Sequence, residues 1–160
     1  MGSVEVPFKC TGVAAVLLKR EGADYKFLLL RRNSTILRNV WCYIGGSIED
    51  GEAAWQAAFR EIEEETGITD VSLYTSNLFD QIYSPEYNYI YVAPVFVGYV
   101  AEGETVELNE EHYDYNWLSF HEAVETVSLP GNDHVLESVK KHFVDRSPLQ
   151  DLRVNKREEP

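Results

Sequence analysis

Glu61, Glu64 and Glu65 lie within five residues of one another in a stretch of strong helix formers, and their spacing decides what chemistry they could do. At about 100° per residue, with Glu61 set at zero, Glu64 and Glu65 fall at roughly −60° and +40°, so three carboxylates share one face. Trp55, Phe59, Ile62 and Thr66 recur at four, three and four residues and fall between about 100° and 160°, which predicts a core face beside the acid face. Ala54, Ala57 and Ala58 lie on the acid side and leave space above the carboxylates. Like charges at i,i+4, as in Glu61 and Glu65, cost a few tenths of a kcal/mol on an exposed helix and more at low dielectric. A solvated acidic face is one reading. The other is a site for a hard cation, Mg2+ with Mn2+ as a substitute, which takes oxygen ligands from adjacent turns and further ligands from substrate phosphates.

The residues around these acids run Gly46, five residues, Glu52, seven residues, then Arg60-Glu61-Ile62-Glu63-Glu64-Glu65-Thr66-Gly67-Ile68. This frame resembles the Nudix box, Gly-x5-Glu-x7-Arg-Glu-U-x-Glu-Glu-x-Gly-U with U aliphatic, and meets every specified position. The resemblance implies a Nudix-like α/β/α sandwich with a mixed β-sheet and metal-dependent hydrolysis of a diphosphate bond in a nucleoside-diphosphate-linked substrate. It implies that Glu64 and Glu65 ligate metal, that Glu61 ligates metal or acts as base, and that Arg60 pairs with Glu52 to tie loop to helix. Gly45 and Gly46 allow backbone to approach a metal or phosphate closely, which puts Gly45 with the metal-site residues. Gly46, Glu52, Arg60 and Gly67 are expected to support the site structurally. Tyr43-Ile44-Gly45-Gly46 departs from the Leu-Pro-Gly-Gly of many members, a change that removes loop rigidity but no ligand.

Beyond the box, Leu28-Leu29-Leu30-Arg31-Arg32 resembles the family's second strand, and Glu111-His112 with Trp117 resembles its late Glu-His...Trp element. Glu111, or its neighbour Glu110, is the expected further metal ligand or general base, and the base is left open between Glu111 and Glu61. His112 and Trp117 are read as packing or orienting residues. The resemblance leans toward a nucleoside-triphosphate or pteridine-triphosphate pyrophosphohydrolase that releases a nucleoside monophosphate and pyrophosphate. ADP-ribose, nucleotide sugars and dinucleoside polyphosphates are the alternatives, Pro85 and Tyr87 being loose likenesses to two of those subgroups. A non-catalytic Nudix-fold nucleotide-binding module and a messenger-RNA decapping enzyme are further readings. No residue is assigned to substrate binding.

These groups need a scaffold. Cys10 to Leu18 and Tyr25 to Leu30 read as two strands joined by a polar turn, and Val40 to Ile44 as a third that ends at Gly45-Gly46. The helix from Ala53 to Thr66 has Asp50 as its expected N-cap and Gly67 as its stop. Val71 to Leu78, Tyr89 to Val100 and Tyr115 to Leu118 read as further strands, the second apolar enough for burial on both faces. Ser119 opens a helix through Val127, and Asp133 to Val144 reads as a C-terminal helix. Strands mixed with a few helices indicate an α/β sandwich with a mixed sheet. A domain over 1–146 is expected, followed by a charged, loosely ordered tail over 147–160.

Composition narrows the partners. The chain has 160 residues, 44% hydrophobic, and a net charge of −13, with no basic stripe for a phosphate backbone. That argues for a small nucleotide-like diphosphate rather than polymeric nucleic acid, approached through cations that reverse the local sign. Cys10 and Cys42 lack metal or disulfide spacing. No apolar run approaches the roughly 20 residues of a membrane span, and the N-terminus has no signal pattern, so an unprocessed cytoplasmic protein is the expectation.

Overall fold

The computed structural model describes residues 4–155. Its strands are β1 (Phe8–Lys9), β2 (Gly12–Glu21), β3 (Asp24–Arg32), β4 (Trp41–Cys42), β5 (Ile44–Ser47), β6 (Val71–Ser84), β7 (Tyr89–Val100) and β8 (His112–Leu118). Its helices are α1 (Ala54–Thr66), α2 (Phe120–Thr126) and α3 (Asn132–Val139), with α3 continued by a wider turn over Lys140–Val144 and a short turn at Gln150–Leu152. The strands form one mixed sheet in the order β1-β7-β2-β3-β4, with β5 on β2, β6 on β7 and β8 on β3. The β2–β7 pairing is parallel, and the β2–β3 and β6–β7 pairings are antiparallel.

Strand alternation builds two cores, one on each face. From β2, Ala14, Val16 and Leu18 join Phe27 and Leu29 of β3 against Ala123, Leu136, Val139 and Phe143 on the α2/α3 side. Val13, Ala15 and Leu17 face the other way, with Leu28, Leu30, Ala57, Ala58 and Ile62, on the α1 side. β2 and the middle of β3 are buried on both faces because helices cover both, as the α/β/α reading requires. β7 is fully buried only toward its middle, Pro94 excepted, and its ends are half-buried.

Several local expectations are corrected. The third strand is two, because the chain turns at Tyr43: β4 pairs with β3, and β5, which contains Gly45 and Gly46, pairs with β2. Helix α1 is not capped by Asp50. Ala53 is the extended cap residue, and the Gln56 side chain accepts its N–H at 2.7 Å, while Asp50 lies in the turn closed by Glu52 N–H to Glu49 O at 3.0 Å. β8 starts at His112, three residues early, because its ladder on β3 runs on through Arg32.

Much of the segment expected to be a loose tail makes defined contacts. Val154 N–H donates to Leu73 O at 2.8 Å, Gln150 Nε2 to the Tyr74 hydroxyl at 3.2 Å, and Arg153 bridges to Tyr74. Residues 156–160 lie outside those described. No helix among the described residues is long and apolar enough to cross a membrane.

Candidate functional site

The buried arc of α1 runs through Ala57, Glu61, Glu65, Ala58, Ile62 and Thr66, so the expected division into a core face and an acid face is corrected. Ala57 and Ala58 are fully buried rather than open space above the acids. Their small side chains let the helix lie close on the sheet, and the larger Trp55 and Phe59 sit half-buried at its flank, ring edge against ring face. Rotated this way, the helix carries two acids inward. Glu65 is 1% exposed and Glu61 7%, whereas the Glu64 side chain stays at the rim, 51% exposed.

Arg60 holds the outer side of this arrangement, and all five of its N–H donors are used. Nε donates to Glu52 Oε2 at 2.7 Å and Nη2 to Glu52 Oε1 at 2.9 Å, a bidentate pair. Nη2 also reaches the Ser47 carbonyl at 2.7 Å, and Nη1 donates to Glu61 Oε1 at 2.9 Å and Glu64 Oε2 at 3.0 Å. One guanidinium thus joins β5, the turn before the helix, and two of the three acids. These bonds push the Arg60 pKa up, with Glu52 the largest contributor, and the same bonds hold the Glu52 carboxyl below the usual range.

Gly46 and Gly67 answer for specific geometry. A Cβ on Gly46 would lie 2.1 Å from the Glu61 carboxyl carbon, so this position is glycine because Glu61 packs flat against β5. Gly67 ends α1 in the left-handed region, φ 73°, with its N–H on Glu63 O. Gly45 lies exposed on the same strand, its main chain lining the cleft described below.

On the inner side Arg32 is near enough for its charge to act on Glu65 and His112, but it bonds to neither, in contrast to Arg60. Neither Glu65 oxygen receives a hydrogen bond there from an N–H or hydroxyl group, its carboxyl facing that of Glu61, and His112 Nδ1, 3.4 Å from Glu65 Oε1, has no hydrogen-bond partner. Burial first, then the charges of Glu61 and Glu111, push the Glu65 carboxyl up to about 9. Burial and the nearby Arg32 lower the His112 imidazole to about 4. With both groups neutral near pH 7, their contact is not an ion pair in the protein alone. Buried polar groups are nearly always satisfied, so orphaned carboxyl oxygens beside an orphaned imidazole nitrogen fit a divalent cation, which supplies the missing charge and bonds.

Ligand atoms of Glu65, Glu111 and His112 lie within 4.8 Å of one another. Glu111 is brought there by its loop: Asn33 N–H donates to the Glu111 carbonyl at 2.9 Å, and Asn33 Nδ2 to the Glu110 carbonyl at 3.2 Å. Glu110 is exposed and is not part of the cluster.

A cleft of about 670 Å³ opens from this cluster and runs between β6, β7 and the start of α3. Sequence reasoning missed its polar floor. The Tyr43 hydroxyl donates to Asp80 Oδ1 and stands 3.0 Å from Asn132 Oδ1. One proton serves two acceptors, which leaves hydrogen-bonding capacity for a ligand. Burial raises both the Asp80 carboxyl and the Tyr43 phenol. Leu78, Ile82, Tyr91 and Val135 give the cleft apolar walls, and Arg32 stands at the acidic end. Tyr43, Asp80 and Asn132 are far apart in sequence, so no local spacing could have joined them.

Residues 9–140 match the NUDIX domain family. The chain is a member of the Nudix family. It is 28% identical over 115 residues to nucleoside triphosphatase NudI of Escherichia coli O139:H28, covering 66% of this chain and 79% of that protein. It is also 28% identical over 142 residues to a protein named octanoyltransferase from Myxococcus xanthus, covering 86% of this chain. The chain spans about two-fifths of that relative's length, 38%. Among solved structures, a C. elegans Ap4A hydrolase binary complex has the same fold, with TM-score 0.72 and 19% identity over 83% of this chain and 96% of the other. The Nudix helix and its partners are therefore set on a Nudix fold, with the acids divided between an Arg60-bound outer group and a buried inner group.

The inner group gives the metal-free protein a defined pH response. Glu65 keeps its proton to about pH 9 when folded but loses it near its ordinary value of 4.5 when unfolded, so stability falls as pH rises between them. His112 acts with the opposite sign below pH 6.5, where the unfolded chain takes up protons that the folded chain refuses. Between pH 6.5 and 9 Glu65 has the largest of the carboxyl effects, Glu61 and Asp80 being raised less and with the same sign, and thermal melts of chelator-treated protein should show Tm declining across that window. Glu65→Gln should be more stable than the parent at pH 9 and nearly flat with pH; an equal decline in the variant would contradict the assignment.

Arg60→Ala should destabilise the protein by roughly 1–3 kcal/mol in denaturant titrations, because it strands the carboxylates of Glu52 and Glu61. Unchanged stability would show that the guanidinium is dispensable to the fold.

Proposed function

We propose that the protein is a divalent-metal-dependent pyrophosphohydrolase that acts on nucleoside triphosphates and releases a nucleoside monophosphate and pyrophosphate. The observation that carries the reading is one cleft with two chemically distinct ends. Its acidic end suits phosphates with a cation, and its body, with apolar walls and the Tyr43–Asp80–Asn132 floor, suits a nucleobase. The likeness to NudI of Escherichia coli, a nucleoside triphosphatase, supports the same substrate class. The compactness of the late Glu-His...Trp element supports a triphosphate, of a pteridine if not a nucleoside, over the larger dinucleotides and ADP-ribose.

Glu65, with Glu61, Glu64 and the Gly45 main chain around it, would hold the cation, Mg2+ or Mn2+. Bound there, the cation neutralises phosphate charge and makes a neighbouring water a better acid. Arg32 pairs with a phosphate oxygen at the same end of the cleft. Glu111 accepts the proton of the attacking water: its side chain is exposed, lines the cleft and borders Glu65, whereas Glu61 is buried and bonded to Arg60. Water oxygen bonds to the nucleoside-proximal phosphorus, the bond from that phosphorus to the bridging oxygen breaks, and pyrophosphate leaves with the bonding pair. Arg60, Glu52, Gly46 and Gly67 act by position alone.

A panel of nucleoside triphosphates, dihydroneopterin triphosphate, ADP-ribose, nucleotide sugars and dinucleoside polyphosphates, incubated with protein and Mg2+ or Mn2+ and resolved by chromatography, tests this directly. Triphosphates should give monophosphate and pyrophosphate, and chelator should abolish turnover. Glu111→Gln should lower kcat about 10²–10⁴-fold with little change in KM. Reaction in oxygen-18 water should label the monophosphate. Fastest turnover of ADP-ribose or a dinucleoside polyphosphate, or label only in pyrophosphate, would contradict the proposal.

A further inference from the structure

We infer that His112 is itself a metal ligand, joining Glu65 in a mixed oxygen–nitrogen site that Glu111 borders and that prefers first-row transition ions such as Mn2+ to Mg2+. The inference deepens the metal-centre reading above and rests on it. Sequence reasoning made His112 a packing or orienting residue, and two independent observations speak against that.

The first is the strand register. Along β8, Asp114, Asn116 and Leu118 share one face, and Leu118 lies in the core on the α2/α3 side. Strict alternation would put His112 on that side too, away from α1. The ladder instead steps from Arg31–Asp114 to Arg32–His112, so Tyr113 is an extra residue. Such a bulge re-aims the side chain that follows it, and here it brings His112 round to the face of Leu28 and Leu30, where Glu65 lies.

The second is what the imidazole does on arrival. An orienting histidine donates a ring N–H to its carboxylate. Here, His112 Nδ1 is buried, stands 3.4 Å from Glu65 Oε1 and makes no hydrogen bond among the described residues, and Glu65 faces only the carboxyl of Glu61 on its other side, with no N–H donor on either oxygen. Neighbouring ligand atoms around an octahedral ion with bonds of about 2.1 Å stand roughly 3 Å apart, close to this separation. A Glu111 carboxylate oxygen, that of the proposed base, lies within 4.8 Å of both.

An imidazole nitrogen changes which ion is favoured. Mg2+ takes oxygen ligands and gives up its waters reluctantly, whereas Co2+ and Zn2+ accept imidazole readily and Mn2+, which also favours oxygen, accepts it more readily than Mg2+ does. A site with three oxygen donors would leave that choice to ion size. Replacing one of them with nitrogen biases it toward the transition ions.

The test uses Mn2+ alone and Mg2+ alone with chelator-stripped full-length protein and no nucleotide. Pulsed electron paramagnetic resonance of the Mn2+-loaded protein should show nitrogen-14 coupling from a bound imidazole. In His112→Gln that coupling should vanish, and calorimetric titration should show Mn2+ affinity reduced about 10–100-fold with Mg2+ affinity changed less than about threefold. Asp133, His134 and Glu137 form a second, surface cluster, so His134→Gln should keep the coupling. Loss of the signal in His134→Gln overturns the assignment. Mn2+ binding without nitrogen coupling in the parent protein also overturns it and leaves the carboxylate metal centre standing, and this measurement needs no variant to fold. Failure of both ions to bind would overturn the metal-centre reading along with it.

Discussion

The organisation of this protein depends on two carboxylates, Glu61 and Glu65, buried one helical turn apart with a guanidinium bonded to the first and none bonded to the second. Arg60 spends all five donors on the outer side, on Glu52, Glu61, Glu64 and the Ser47 carbonyl. No guanidinium bonds to the inner carboxyl, where Glu65 remains 1% exposed and Arg32 acts on it by charge alone. An isolated buried carboxylate is too costly to persist as an anion, so the protein alone keeps Glu65 protonated. The fold thus maintains an inner site short of positive charge, in a chain of net charge −13.

The rest of the architecture serves that burial. Ala57 and Ala58 bring α1 down onto the sheet, Gly46 leaves room for the Glu61 carboxyl, and the Glu52–Arg60 pair fixes where the chain enters the helix. On the far side of the sheet, β6, β7 and α3 shape the cleft that leads to the acids, and Asn33 anchors the loop that carries Glu111. Rigid elements hold the inner carboxyl, and a loop presents the exposed one. That division is suited to a cation held firmly beside a base that must exchange protons with water.

Much of this was legible in the sequence, and the failures have identifiable causes. Burial on both faces, expected of Tyr89 to Val100, holds only toward the middle of β7, while the spacing from Gly46 to Ile68 marked both the helix and its acids. What misled was weighting side chains by hydrophobicity. Trp55 and Phe59 seemed to define the core face, but close packing favoured the alanines, and the helix turned its acids inward. Asp50 had the chemistry of a cap, yet the turn at Gly51 and the Gln56 side chain moved the helix start to Ala54. The bulge at Tyr113 and the Tyr43–Asp80–Asn132 floor arise from pairings between distant segments, and no local pattern encodes them.

The central claim, that a cation replaces a proton on Glu65, is tested most directly by counting protons released on metal binding. Calorimetric titration of chelator-stripped protein with Mn2+ at pH 7, repeated in buffers of different ionisation enthalpy, gives that number. With the Glu65 carboxyl at about 9 in the protein alone, close to one proton should leave per ion bound, and Glu65→Gln should release almost none. Tight binding with no proton released from the parent protein would contradict the account, because it would mean that Glu65 is already ionised before the cation arrives.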